Sequence, residues 1–202
     1  MSYSDGKDSR VIAQLAVRTF EHVVGFFMYL VPNLECVDTA LAEAERRWGF
    51  KVLQYPHWLL SRLIRNGVYR PPASEDVLAA VPEWTLRDCY DLVLGDTGIP
   101  LVLTGAKASD SMWRRRNLKA VQYQEVFHPI EKWLRVDVEA FLAANGIPMP
   151  VSSGRNATGI DLSTPSLLWL YDTFPRDFEK LCHYFPFAFS VVARRRFYSI
   201  TA

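Results

Sequence analysis

Met1-Ser2-Tyr3-Ser4-Asp5-Gly6-Lys7-Asp8-Ser9 runs directly into the apolar stretch 11–17, and this junction decides the fold. A short strand end, a polar turn and an amphipathic helix form a layout suited to phosphate. The first backbone N–H groups of a helix have no partner within the helix and sit at the positive end of its dipole. The hydroxyls of Ser4 and Ser9 and the ammonium of Lys7 add donors around the same anion. Gly6 is expected to take a φ that a side chain would obstruct. The stretch also reads as a polar amino-terminal segment followed by an ordinary helix. Only residues 1–3 precede the turn, so either translation starts upstream or the first strand is an unusually short stub.

Outward from this junction, strand-like and helix-like segments alternate, which predicts an α/β fold with a mainly parallel sheet. Residues 8–22 read as a helix. Residues 25–31 (Gly-Phe-Phe-Met-Tyr-Leu-Val) are a continuous apolar run, as in a strand buried on both faces. Residues 36–48 have helical spacing, with Gly49 as the cap. Residues 50–55 make the next strand. Residues 57–83 suggest a short helix and an irregular excursion. A helix over 84–94 is followed by Gly95 and Asp96 as turn residues, then by strands over 100–104 and 122–127. A further helix, 134–144, closes at Asn145-Gly146. Residues 149–202 combine a Ser/Gly/Asn-rich loop with aromatic-rich helices. In such sheets ligands bind beyond the carboxyl ends of the strands, which directs attention to the loops 4–9, 32–36, 56–58, 104–116 and 128–133.

Composition narrows the class. The 202 residues suffice for one domain with a full core, and 50% apolar with 13% aromatic content excludes disorder. A net charge of +1 gives no reason to expect nonspecific attraction to nucleic acid or to a membrane. Cys36, Cys89 and Cys182 are scattered and form no CxxC pair, so they read as free thiols in a reducing compartment. The longest apolar run, 23–32, is too short to span a bilayer, and no signal peptide is visible. A cytoplasmic protein is expected.

Ser4-Asp5-Gly6-Lys7-Asp8-Ser9 resembles the PP-loop, Ser-Gly-Gly-x-Asp-Ser, of the N-type ATP pyrophosphatases, in particular the branch containing phosphoadenosine phosphosulfate reductase. Asp5 stands in place of the first Gly, where a carboxylate repels pyrophosphate unless it turns outward or reaches Mg²⁺. Thr104-Gly105-Ala106-Lys107-Ala108-Ser109-Asp110-Ser111, with Arg114-Arg115-Arg116 behind it, is similar to the family's Thr-Gly-x-Arg-x-x-Glu-Ser segment. Lys107 keeps the charge of the usual Arg but loses its bidentate fork. Phe127-His128-Pro129-Ile130, Trp133, Val136-Asp137-Val138 and Gly146-Ile147-Pro148 resemble a third family stretch, which mostly makes a turn, packs a Trp and ends a helix. His128 reads as a satisfied hydrogen-bonding residue. The family's Asp-Thr-Gly after strand two is replaced by Val31-Pro32-Asn33-Leu34-Glu35, so no side-chain contact to a purine carries over there.

The resemblance implies a five-stranded parallel sheet with helices on both faces, an adenine nucleotide α-hydrolase-like core over 1–150. The aromatic-rich helical region 151–202 would pack on the same domain. It further implies ATP and Mg²⁺ as cofactors. Ser4, Asp5, Gly6, Lys7 and Ser9, with Thr104, Gly105 and Arg114, would bind the nucleotide. Lys7, Asp8 and Lys107 would act in catalysis, and Asp8 would also hold the metal. The function implied is attack by an unknown acceptor on the α-phosphate of ATP, in sulfur-transfer or nucleic-acid-modification chemistry. A noncatalytic nucleotide-binding or scaffolding protein on the same fold is the alternative, with an adenylyl-sulfate binder as a third possibility. Thiol-dependent reduction is not expected, because the Glu-Cys-Gly-x-His tail of sulfonucleotide reductases is missing and Cys182 lies among Leu181, Tyr184 and Phe185. Trp169, Tyr171, Phe174, Phe178, Tyr184, Phe185, Phe187 and Phe189 are expected to pack over the sheet or to form a homodimer contact. Residues 152–156 suggest a lid in which Arg155 meets phosphates, as would Arg194–Arg196.

Overall fold

The computed structural model describes residues 1–120, 125–150, 152–153, 156–157 and 161–200. In chain order the elements are α1 (Lys7–Thr19), β1 (Val24–Tyr29), α2 (Glu35–Trp48), β2 (Lys51–Pro56), α3 (Leu59–Arg65), α4 (Glu75–Ala80), α5 (Leu86–Thr97) and β3 (Val102–Leu103). There follow α6 (Met112–Ala120), β4 (Val126–Phe127), α7 (Arg135–Ala144), β5 (Ser152–Ser153) and β6 (Asn156–Ala157). The chain closes with α8 (Thr164–Thr173), α9 (Pro175–Tyr184), a 3-10 turn at Pro186–Ala188 and α10 (Phe189–Ile200). It divides into two compact units: Met1–Phe27, Ala40–Gln54 and Tyr90–Val151 form the first, and Met28–Thr39, Tyr55–Cys89 and Ser152–Ala202 the second.

The expected five-stranded parallel sheet is corrected by the strands themselves. Among the described residues β1 pairs with β2, β3 pairs in parallel with β4, and β5 pairs with β6 in a two-residue antiparallel hairpin. Each of these sheets has two strands. Length is the cause. Residues 1–3 make a single isolated bridge, Ser2 to Phe26, plus one N–H bond from Ser2 to the carbonyl of Leu103 at 2.8 Å. Three residues are too few to extend a ladder. Strand β3 is cut to two residues between Pro100, which has no N–H to donate, and the turn at Gly105. Residues 122–124 of the expected strand 122–127 lie outside the described residues, and Val126–Phe127 remain.

In the first unit, Ser9, Ile12, Ala13 and Ala16 of α1 are buried at i, i+3, i+4 and i+7, the spacing of one helical face. α1 packs against α7, whose Val138 and Leu142 are also buried. Tyr3, Phe26, Val102 and Ile130 complete this core. Full burial of such side chains contributes about 1.5–3 kcal/mol each. Gly25 is required sterically: a Cβ there would lie 2.9 Å from the Phe50 ring and 3.0 Å from Val52. α5 also corrects an expectation. It runs through Gly95 and Asp96 to Thr97, and the left-handed residue that ends it is Gly98, at φ 65°. The N–H of Gly98 reaches back to the carbonyl of Leu94 at 2.9 Å.

In the second unit, of the aromatics expected to pack, Phe178 and Phe185 are buried and Trp169, Tyr171 and Phe174 half-buried, whereas Tyr184, Phe187 and Phe189 are exposed. Tyr171 and Phe178 meet edge to face at 5.3 Å, and Leu167, Leu170, Leu181 and Phe185 are buried. Residues 33–36 are tied to α9. Asp177 of α9 accepts the N–H bonds of Glu35 and Cys36, both at 2.9 Å, and so caps α2. Lys180 donates to the carbonyl of Asn33 at 2.6 Å and pairs with Asp177 at 3.2 Å. Burial alone would raise the Asp177 carboxyl, but these N–H groups and Lys180 hold it below its ordinary value. The Cys36 thiol is pushed up to about 12 by burial and by Asp177. All three cysteines are free, Cys36 and Cys89 buried and Cys182 half-buried. Among the described residues no helix is long and apolar enough to cross a membrane.

Asp177 therefore joins segments more than 140 residues apart in sequence. Asp177→Ala leaves the start of α2 uncapped, with a loss of about 1–3 kcal/mol in unfolding free energy by urea titration. Unchanged stability would show that the cap is dispensable.

Candidate functional site

Loop 4–9 and loop 104–110 meet in the first unit, and a string of charges joins them. Lys7 Nζ donates to Asp8 Oδ2 at 2.7 Å. Lys107 Nζ lies 2.6 Å from Asp8 Oδ1 and 2.9 Å from Asp110 Oδ1. Arg114 donates to Asp110 Oδ2 at 2.8 Å. Three cations and two carboxylates alternate, leaving one positive charge in excess. Lys107 is 1% exposed, and its ammonium meets both carboxylates as a charge pair. Burial alone would raise the Asp110 carboxyl, yet Lys107 and Arg114 hold it below the usual range.

Gly105 sets the approach of the two loops. A Cβ there would stand 3.0 Å from Asp8 Cβ and 3.1 Å from the Asp8 backbone carbon. The 104–110 segment is held from behind. Ala108 donates its N–H to the carbonyl of Glu131 at 2.8 Å, and Ser109 donates to the carbonyl of Trp133, also at 2.8 Å. Thr104 Oγ1 lies 2.6 Å from His128 Nδ1, so His128 is a satisfied hydrogen-bonding residue. Burial holds the His128 imidazole below its ordinary value, against the opposing charge of Glu131.

The turn itself differs from expectation in a specific way. Gly6 takes φ −72°, a conformation open to any residue, and a Cβ there would meet only Ser4 Oγ at 3.4 Å. The left-handed residue is Asp5, at φ 54° and in the place of the family's first Gly. Its carboxylate turns inward. Arg10 donates to Asp5 from Nε and from Nη2, both at 2.9 Å, and Tyr3 donates its hydroxyl at 2.7 Å. Arg10 also donates to the carbonyl of Pro148 at 2.8 Å, which ties the turn to the end of the Gly146-Ile147-Pro148 stretch. Burial, followed by the Asp5 charge, raises the Tyr3 phenol far above its usual value. Nothing in the sequence marked Arg10 or Tyr3; the signal was the non-glycine at a glycine position.

The start of α1 is left without a side-chain cap, because Ser9 donates to the carbonyl of Gly6 at 2.9 Å. Ser4 is exposed. Of the sequence-derived site residues, Gly6, Lys7, Asp8, Ser9, Gly105, Lys107 and Arg114 thus belong to one cluster. Asp5 is withdrawn into the core and Thr104 is held by His128. Both oxygens of Asp8 face ammonium groups, an arrangement that does not fit direct ligation of Mg²⁺. Among the described residues no group of three or more His, Cys, Asp or Glu could hold a metal ion. Arg155 lies outside the described residues. In the second unit, Arg195 pairs with Asp172 at 2.6 Å and Arg196 stacks over Tyr171 at 5.1 Å. A separate cleft of the first unit, lined by Ala16, Phe20, Val24, Val93, Leu94 and Leu101, lies at the starts of β1 and β3 and is apolar.

No protein-family model matches this chain, and no curated protein is significantly similar to it.

Two outcomes follow from the buried pairs. Arg10→Met removes the buried counter-ion of the Asp5 carboxylate and lowers stability by about 3–5 kcal/mol, and adding Asp5→Gly restores most of it. A double variant no more stable than the single one would show that the pair is not the cause. His128 is easier to protonate in the unfolded chain, whose pKa is about 6.5, than in the folded one. Stability is therefore full above that value and falls as pH drops through it toward the folded value. His128→Gln removes this part of the slope in denaturation measured across pH.

Proposed function

We propose that the chain binds an adenine nucleotide through loops 4–9 and 104–110 and acts as an ATP-pyrophosphatase-type nucleotide α-hydrolase. One observation carries the reading: a fully buried ammonium, Lys107, held between Asp8 and Asp110 beside the uncapped start of α1. Burying an ammonium costs several kcal/mol, which Asp8 and Asp110 offset as counter-ions. A phosphate oxygen is an acceptor able to use those donors together with the helix N–H groups. The resemblance of both loops to the PP-loop and to its Thr-Gly partner supports the same ligand.

The chemistry assigned to these residues is positional and electrostatic. An acceptor nucleophile forms a bond to the α-phosphorus, the bond from that phosphorus to the bridging oxygen breaks, and pyrophosphate leaves. Lys107 offsets negative charge near the α-phosphate, and Lys7 with the α1 N–H groups holds the β- and γ-phosphates. Asp8 and Asp110 hold the two lysines in place before the nucleotide arrives. Asp8 faces two ammonium groups and serves as their counter-ion rather than as a metal ligand.

Noncatalytic binding is the second reading, favoured by the inward Asp5 and the self-paired charges of the cluster. Calorimetric titration with ATP tests the first step. Micromolar affinity is expected, about −8 kcal/mol, weakened about tenfold or more in Lys7→Ala and in Lys107→Met. The absence of binding by folded wild-type protein sinks both readings. Binding with no pyrophosphate released in the presence of candidate acceptors favours the second.

A further inference from the structure

Helix α6 begins two residues after Asp110 and presents Met112, Trp113, Arg115 and Arg116 to solvent. Met112 is 74% exposed and Trp113 70%. On a helix, residues three and four apart are surface neighbours. Trp113 and Arg116 are three apart, Met112 and Arg116 four apart, and Met112 and Arg115 three apart. Each exposed apolar side chain is therefore flanked by a guanidinium. Arg114 is turned the other way, onto Asp110, and Arg115 Nε also reaches the carbonyl of Ala108 at 3.4 Å, so the start of α6 is fastened to the turn that carries Lys107.

We propose that this face of α6 binds single-stranded nucleic acid, with a base stacked on Trp113 and the phosphates on Arg115 and Arg116. An exposed indole beside guanidinium groups supplies the two terms that such binding needs, a stacking surface and cations along the backbone. A membrane surface fits poorly, because an interfacial helix requires a wide apolar face and here Met112 and Trp113 are bracketed by charge. An acidic peptide answers the arginines and leaves the indole face without a flat partner. The near-neutral total charge does not argue against this, since attraction is set by the local patch. The other arginine triplet makes the contrast: Arg195 and Arg196 are spent on Asp172 and Tyr171. A strand held on α6 lies next to the Lys107 turn, which assigns the acceptor of the proposed reaction to the nucleic acids. That assignment rests on the nucleotide reading above, whereas binding of the strand does not.

Fluorescence anisotropy with a labelled single-stranded RNA of about 20 nucleotides of mixed sequence, at about 50 mM salt, tests the surface. The wild-type chain is expected to bind in the micromolar range. Arg115→Glu/Arg116→Glu should weaken binding about tenfold or more and reduce the salt slope by about two. Trp113→Ala should weaken it about fivefold with the slope unchanged. Circular dichroism confirms that the variants fold, and ATP titration of Trp113→Ala should match wild type. The proposal is overturned by absent wild-type binding, by indifference to the charge reversals, or by indifference to Trp113→Ala, which would leave a simple polyanion patch. Equal competition by duplex DNA, or equal affinity for vesicles rich in phosphatidylserine, also overturns it. Strand binding without ATP binding removes only the nucleotide reading, and the converse removes only this one.

Discussion

A single ammonium organises the described loops of the first unit. Lys107 is fully buried, and an unpaired ammonium in such a place would cost several kcal/mol. The chain answers by bringing Asp8 from the first turn of α1 and Asp110 from the lysine's own loop onto the same nitrogen. That demand fixes where α1 begins and how closely the 104–110 segment approaches it, and Gly105 is the residue small enough to allow the approach. Lys7 and Arg114 then attach to the outer oxygens of the same two carboxylates. On the proposed reading, a phosphate entering here exchanges partners with carboxylates already in place. Affinity is then the difference between two good sets of contacts, which keeps it moderate.

Asp5 shows how a motif departure can be read two ways. As a charge beside a pyrophosphate it argues against the loop. As a left-handed residue it does what the missing glycine would do, since Asp tolerates that region better than most side chains. Its charge is then removed from the loop by Arg10 and Tyr3. The carboxylate adds a bond between the turn and α1 that a glycine cannot make. Through Arg10 the same bond reaches Pro148, so the turn depends on a residue about 140 positions away.

Much of the element pattern was legible, and the reasons for the failures are local. Helical spacing and strong punctuation located α1, α2 and α7 to within a few residues. Gly49 caps as its position suggested, at φ 76°. The sheet was misread because apolar runs report burial, whereas ladders need length. Residues 100–104 are apolar enough for a strand, but proline at one end and a turn at the other leave two residues paired. Gly95 was taken as a stop because glycine is a poor helix former, yet Gly98 sits where the chain needs a left-handed residue. In the cluster, Lys7, Asp8, Gly105 and Lys107 were visible as chemistry in predicted loops. Arg10, Tyr3 and Asp177 were not, because nothing local distinguishes a polar residue that will meet a partner far along the chain.

Charge was the least informative sequence quantity for the same reason. A sum of +1 is compatible with pairs that cancel in place and with cations left facing solvent. Both occur here in similar sequences. Met112-Trp113-Arg114-Arg115-Arg116 and Arg194-Arg195-Arg196-Phe197-Tyr198 each join an arginine triplet to aromatic residues. In the second, Asp172 and Tyr171 of α8 receive two of the three guanidinium groups at the surface. In the first, Arg114 goes to Asp110, while Arg116 beside Trp113 remains exposed. A guanidinium already committed to a carboxylate must break that pair to meet a phosphate, whereas an exposed one releases only water and counterions. The difference in what the two triplets can bind therefore lies in their neighbours, and only the fold supplies those.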